Sequence, residues 1–149
     1  MKIEEIVKTQ NITLSKKVIF NILLTQTKIA ETLHSILKEH DISTEQFNVL
    51  RILRGQKGKP ANMCVLQERM IAKTSNTTRL VDKLISKELA TRQVCEENRR
   101  KMEVLITEKG LALLEILDPL VLAHEDSFTD KLNEKELEEL NELLEKIRN

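Results

Sequence analysis

The residues best suited to chemistry in this chain are short, polar and consecutive: Ser75, Asn76, Thr77 and Thr78, ending on Arg79. On the first turns of a helix, such side chains let the helix end sit deep in a major groove and touch base edges. The free N–H groups and dipole of that helix end favour phosphate. Lys73 lies just before the run and Lys83 one turn beyond Arg79, both placed for backbone phosphates. The plainer alternative is that Ser and Thr cap a surface helix while Arg79 pairs locally with Asp82.

A second cluster is Arg99-Arg100-Lys101. Three successive cations at a turn repel one another unless phosphate or acidic groups lie close. A narrow minor groove is a common destination for an Arg in such a place. Glu96 and Glu97 are the local alternative, neutralising the cations without any nucleic acid. No other constellation is built for chemistry. His34 and His40 lie six apart, off one helical face, and His124 is remote. Cys64 and Cys95 form neither a CxxC pair nor a metal spacing, and read as small buried hydrophobes. There is no phosphate-cradling Gly loop and no Cys/His pairing, so the sequence predicts no enzyme, no metal and no cofactor.

The elements that must hold these residues are mostly helices. A long amphipathic helix is predicted over 16–39, from Val18, Ile22, Ile29, Leu33, Ile36 and Leu37. Ser43, with Gln46 three residues on, opens a second helix through a capping box. After the loop at 55–60, a short helix is predicted over 62–71 and another from Thr74 or Ser75, with Leu80, Val81, Leu84 and Ile85 inward. Two short helices joined by a few residues form a helix-turn-helix. Strands are predicted over 91–95 and 102–106, so the cations sit at the tip of a hairpin, a wing. With the wing behind it, DNA reading is favoured over simple capping.

Thr107 then caps a further helix that Pro119 is expected to kink or restart. Asn133 and Glu136 cap the last, where Leu137, Leu140, Leu144 and Ile147 form a heptad-like stripe suited to a helix–helix seam. Both ends of the chain therefore carry amphipathic helices that need a surface to cover, and a two-fold partner is the economical one. The alternative is that they pack only on each other.

Bulk properties agree with this layout. Aromatics are 2% of residues, with no Trp and no Tyr, so aliphatic side chains must build the core. Net charge is zero, yet residues 1–110 hold 20 Lys/Arg against 13 Asp/Glu, and residues 111–149 hold 4 against 11. A basic part followed by an acidic tail suits a molecule that meets phosphate on one side. No run approaches the roughly 20 apolar residues of a membrane helix, and the first residues lack an apolar signal core. A cytoplasmic location is the default expectation.

In order and in motif the sequence resembles the MarR family of winged helix-turn-helix regulators. The resemblance is carried by Leu66-Gln67-Glu68-Arg69-Met70, by 78–84, by Asn98-Arg99-Arg100 and by Ile106-Thr107-Glu108-Lys109-Gly110, whose last four residues make a T-x-x-G helix opening. It implies a mainly α fold with a small β-hairpin wing. Three regions follow: an N-terminal dimerisation helix (1–39), a winged helix-turn-helix lobe (40–110) and C-terminal dimerisation helices (111–149), intertwined as one domain. It further implies a homodimer on a pseudo-palindromic operator of double-stranded DNA, acting as a repressor. A small-molecule effector would sit in a cleft between the dimerisation helices and the lobe. Three departures stand out. Asn98 replaces a common Asp but keeps an acceptor. Glu88 replaces a usual Gly, and a left-handed backbone there would cost about 1 kcal/mol. The reactive Cys of the family's peroxide-sensing branch is absent from the first helix. The competing reading is a winged-helix module whose same helix meets a protein partner.

Overall fold

The computed structural model describes residues 2–8, 11–73 and 76–149. In chain order it has α1 (Ile3–Val7), α2 (Leu14–Lys38), α3 (Thr44–Gly55), β1 (Ala61–Asn62), α4 (Met63–Arg69), α5 (Thr77–Ser86), β2 (Ala90–Val94), β3 (Met102–Ile106), α6 (Glu108–Thr129) and α7 (Glu134–Arg148).

Side-chain caps set most of these starts. The Thr13 hydroxyl accepts from Lys16 N, the Asn62 carbonyl from Val65 N and the Thr107 hydroxyl from Gly110 N. Ser43 with Gln46, and Asn133 with Glu136, form reciprocal capping boxes. Each cap is worth about 1 kcal/mol to its helix. The strands form one antiparallel sheet in the order β1-β3-β2, with Ala61 opposite Val104 and Arg92 opposite Val104 from the other side. β1 is only two residues long, too short to leave a periodic signal, and the sequence did not predict it.

Leu37 of α2, Phe47, Leu50 and Leu53 of α3, Leu66 of α4, Leu84 of α5, Val104 of β3, and Leu114 and Leu117 of α6 close around one core. Burying each such side chain is worth roughly 1.5–3 kcal/mol. That core welds the helix-turn-helix, the sheet and the first half of α6 into one body.

The expected break at Pro119 does not occur, and α6 is a single helix across it. Proline forfeits one backbone hydrogen bond and crowds the preceding turn, at about 3 kcal/mol. Leu114, Leu117, Val121 and His124 are buried on one face on both sides of the proline, and that packing outweighs the loss. His124 is also the polar joint between α6 and α2. Its Nε2 lies 2.8 Å from Thr32 Oγ1 and 3.2 Å from Ile29 O. Thr32 Oγ1 donates to Lys28 O at 2.9 Å, so it accepts from the ring, which carries its proton on Nε2. The Phe128 ring meets the imidazole edge-on, with centroids 5.1 Å apart.

Apolar side chains remain uncovered on three helices: Ile19 and Leu23 on α2, Ile116 and Leu122 on α6, and Leu143 and Ile147 on α7. An apolar hollow of about 500 Å³ separates Ile22, Ile29 and Leu33 of α2 from Leu140 and Leu144 of α7. Among the described residues, no helix is long and apolar enough to cross a membrane.

Candidate nucleic-acid interface

The second helix of the helix-turn-helix, the candidate reading helix, begins later than its polar run suggests. α5 starts at Thr77, and its N-cap is Asn76, whose side-chain carbonyl accepts from Arg79 N at 3.1 Å. Thr74 and Ser75 lie outside the described residues. Thr77 is buried, only 6% exposed, and its hydroxyl has no hydrogen-bond partner among the described residues. It shares the inward face with Val81 and Leu84, at steps of four and three, so it is withdrawn from the surface a duplex would meet. Asn76, Thr78, Arg79 and Lys83 are exposed.

The anticipated alternative for Arg79, a pair with Asp82, does not form. Asp82 is taken instead by Arg92, which reaches across from β2. Among the described residues, Arg79 and Lys83 enter no ion pair. Sequence reasoning passed over Arg92, because only the register of β2 against α5 brings it to Asp82. Lys73, exposed before the helix, donates to the Glu68 carbonyl at the end of α4.

The wing is a regular hairpin, closed by the Val94–Met102 pair. Asn98 organises its turn: its side chain accepts from Arg100 N at 3.1 Å, and its carbonyl from Lys101 N at 2.8 Å. Arg99, Arg100 and Lys101 are exposed. Glu96 and Glu97 make no ion pair with them among the described residues, whereas Glu103 is engaged by Gln93 at 3.1 Å. Cys95 is half-buried, and Cys64 is exposed on α4. The sequence placed both thiols in the interior. Cys64 follows the first residue of a seven-residue helix whose inward face is made by Leu66, with Met63 and Val65 beside it, so the thiol is turned outward.

The wing hangs from α5 through one joint. Glu88 has φ +61, so the left-handed conformation is kept without glycine. Glu88 N donates to Ile85 O and Leu89 N to Leu84 O, both at 2.9 Å, a Schellman ending. Thr107 closes over it: its hydroxyl donates to Glu88 O at 2.7 Å and its N–H to Leu89 O at 3.1 Å. Gly110 is dictated by this contact, because a Cβ there would stand 2.4 Å from Leu89 O and 2.7 Å from Ile106 Cγ1. The T-x-x-G opening is thus the clasp that fixes the wing and α6 to the end of the reading helix.

Beside this joint lies a cleft of about 460 Å³ between α6 and the lobe. Leu89, Leu113 and Ile116 line it with His40, Asp41, Lys87 and Lys109. Lys87 pairs with Asp41 at 3.2 Å and Lys109 with Glu88 at 3.1 Å, so two ion pairs rim it. The residues that could ligate a metal form no group of three among the described residues.

Comparison with known proteins gives a consistent result. The model of the MarR family matches residues 42–102. The HTH-type transcriptional regulator MhqR of Bacillus subtilis is 29% identical over 119 residues, covering 80% of this chain and 81% of that protein. An HTH-type transcriptional regulator of Bacillus cereus is 30% identical over 115 residues, 76% of this chain and 75% of the relative. A MarR transcription factor from Planctomyces limnophilus superposes with a TM-score of 0.71 at 28% identity, over 91% of this chain and 98% of that one. Two further structures share the fold. S. aureus MepR in its DNA complex has a TM-score of 0.76 at 21% identity, over 92% of this chain and 97% of that one. Bordetella bronchiseptica BpsR, whose DNA binding is regulated by 6-hydroxynicotinic acid, has 0.81 at 20%, over 94% and 99%.

Proposed function

The chain belongs to the MarR family of transcriptional regulators, and on that premise we propose that it acts as a homodimeric repressor released from a pseudo-palindromic operator by a small ligand. The observation that carries the reading is the condition of the reading helix. Arg92 removes Asp82 from competition, and Arg79 and Lys83 are left exposed without a carboxylate partner among the described residues. Thr78 and Arg79 meet base edges, Arg79 through the two parallel donors that guanine accepts. Lys73, Ser75, Asn76 and Lys83 hold phosphates. Arg99 and Arg100 enter the flanking minor groove.

Two copies place two such helices about 34 Å apart, one turn of the duplex. The uncovered faces of α2, α6 and α7 support a partner copy, with 1–39 and 111–149 as the interlocking regions. The effector occupies the cleft beside Glu88, where its contacts with Lys87 and Lys109 compete with the ion pairs that rim the cleft next to the α5–wing joint. That S. aureus MepR binds DNA and that 6-hydroxynicotinic acid regulates BpsR support both halves of the reading.

The test is duplex binding as a function of salt, using fragments the protein selects from its own genome. Arg79→Ala should cost about 1–3 kcal/mol and relax preference at one base position. Arg100→Ala should weaken binding and lower the salt slope by about one. A salt-independent affinity would favour a protein partner for the same surface.

A further inference from the structure

A hollow of about 510 Å³ opens where the last turns of α3 and α4 meet, and it carries charge that neither the reading helix nor the α6 cleft uses. Its wall holds Arg51 and Arg54 from α3, Lys57 from the following turn and Arg69 from α4, with no carboxylate among the lining residues. Concave walls of one sign focus potential on the space between them. Ordinary structural roles account for part of this charge. Arg54 is gripped by Asp118 of α6 through hydrogen bonds of 2.6 and 3.0 Å. Arg54 and Arg69 also sit in the last turns of their helices, where each carbonyl end bears roughly half a negative charge. Once Asp118, the nearby Glu115 and both helix ends are set against the four cations, an excess of about one positive charge remains.

The remainder is held in place. The Arg51 guanidinium lies over the Phe47 ring, 5.7 Å from its centroid, so its fork is preset. Lys57 adopts a left-handed backbone with φ +52, followed by Gly58 at φ +83, in the turn that sets Lys57 at the wall of the hollow. Ile52 and Ile71 complete the lining, and Ile71 is 79% exposed, a large apolar side chain left in solvent beside cations.

We propose that this hollow binds a small organic dianion, a phosphate monoester or a dicarboxylate. Arg51, Lys57 and Arg69 take the charge, and Ile52 and Ile71 lie against the carbon skeleton. The space is within the range of small-molecule sites, and guanidinium forks match both oxyanions bidentately. An occupant also meets Arg54, and so draws on the contact that ties α3 to α6.

The experiment is calorimetric titration of the full chain at fixed ionic strength with phenyl phosphate and with phthalate. Inorganic phosphate supplies charge without a carbon body, and phenol a body without charge. The expected result is one saturable site per chain for at least one organic dianion, tighter than for inorganic phosphate and lost for phenol. Preference between the two organic dianions identifies the oxyanion. Arg51→Gln and Arg69→Gln should each weaken that binding about tenfold, while Lys146→Gln on α7 should not change it. Absence of saturable binding overturns the proposal, as does affinity unmoved by Arg51→Gln and Arg69→Gln. If those variants instead weaken duplex binding and lower its salt slope, with no dianion bound, the cations belong to a phosphate track along DNA and the proposal fails.

Discussion

Replacing Gly110 by Ala is the most direct probe of the clasp between the reading helix, the wing and α6. In an exposed helix the change would stabilise, since glycine costs about 0.5–1 kcal/mol relative to alanine there. Here the added Cβ would stand 2.4 Å from Leu89 O and 2.7 Å from Ile106 Cγ1. The Ile106 side chain can turn away, but the Leu89 carbonyl is backbone and already accepts from Thr107 N at 3.1 Å. Relief therefore requires α6 to back away from the Schellman ending of α5, lengthening that bond and the Thr107–Glu88 contact of 2.7 Å. Overpacking of this kind costs about 1–3 kcal/mol, and the upper half of that range applies because the clashing Leu89 carbonyl is backbone, so a net destabilisation of about 1–2.5 kcal/mol remains after the propensity gain. Thermal unfolding at equal protein concentration should show Tm lowered by about 2–10 °C for a chain this size. A Tm equal to or above that of the parent would refute the argument, because the clasp would then not need glycine.

Other outcomes follow from the same contacts. Glu88→Gly should raise stability by up to about 1 kcal/mol in urea unfolding, because it removes left-handed strain at φ +61; the loss of the Lys109 partner is a small offset. The Arg54 guanidinium holds the Asp118 carboxyl below its ordinary value of 3.8. The pair therefore stabilises the fold above that value and ceases to do so as pH falls through the lowered one. Asp118→Asn should cost up to about 1 kcal/mol at neutral pH, an exposed-pair magnitude, and the gap between variant and parent should close in acid unfolding below pH 3.8. Light scattering should return a mass twice the 17.2 kDa of one chain; a mass of one chain at micromolar concentration would remove the partner copy from the account.

Much of this was legible in the sequence because caps and periodicities are local. Ser43 with Gln46, and Asn133 with Glu136, announce their helices through short-range hydrogen bonds, and the alternation of Met102, Val104 and Ile106 announces a strand. The features that escaped depend on distant partners. Whether α6 survives Pro119 depends on what its inward face packs against, and His124 is buried because Thr32 of α2 stands opposite it. The polar run at the reading helix was legible in type but not in phase. Asn, Ser and Thr are near-equal caps, so the sequence alone did not decide that Asn76 takes the cap and Thr77 turns inward, although Thr77, Val81 and Leu84 already lie at helical spacing. The exchange of Asp82 from Arg79 to Arg92 required strand register, a long-range quantity.

The central claim is that Arg79 reads a base and Arg100 holds DNA through charge. The most direct test measures duplex affinity from low to high salt for the parent, Arg79→Ala and Arg100→Ala, on a selected fragment and on that fragment with single base changes. The account predicts that Arg79→Ala loses discrimination at one position with the salt slope kept, and that Arg100→Ala loses about one unit of slope with discrimination kept. Affinity unchanged in both variants would contradict it.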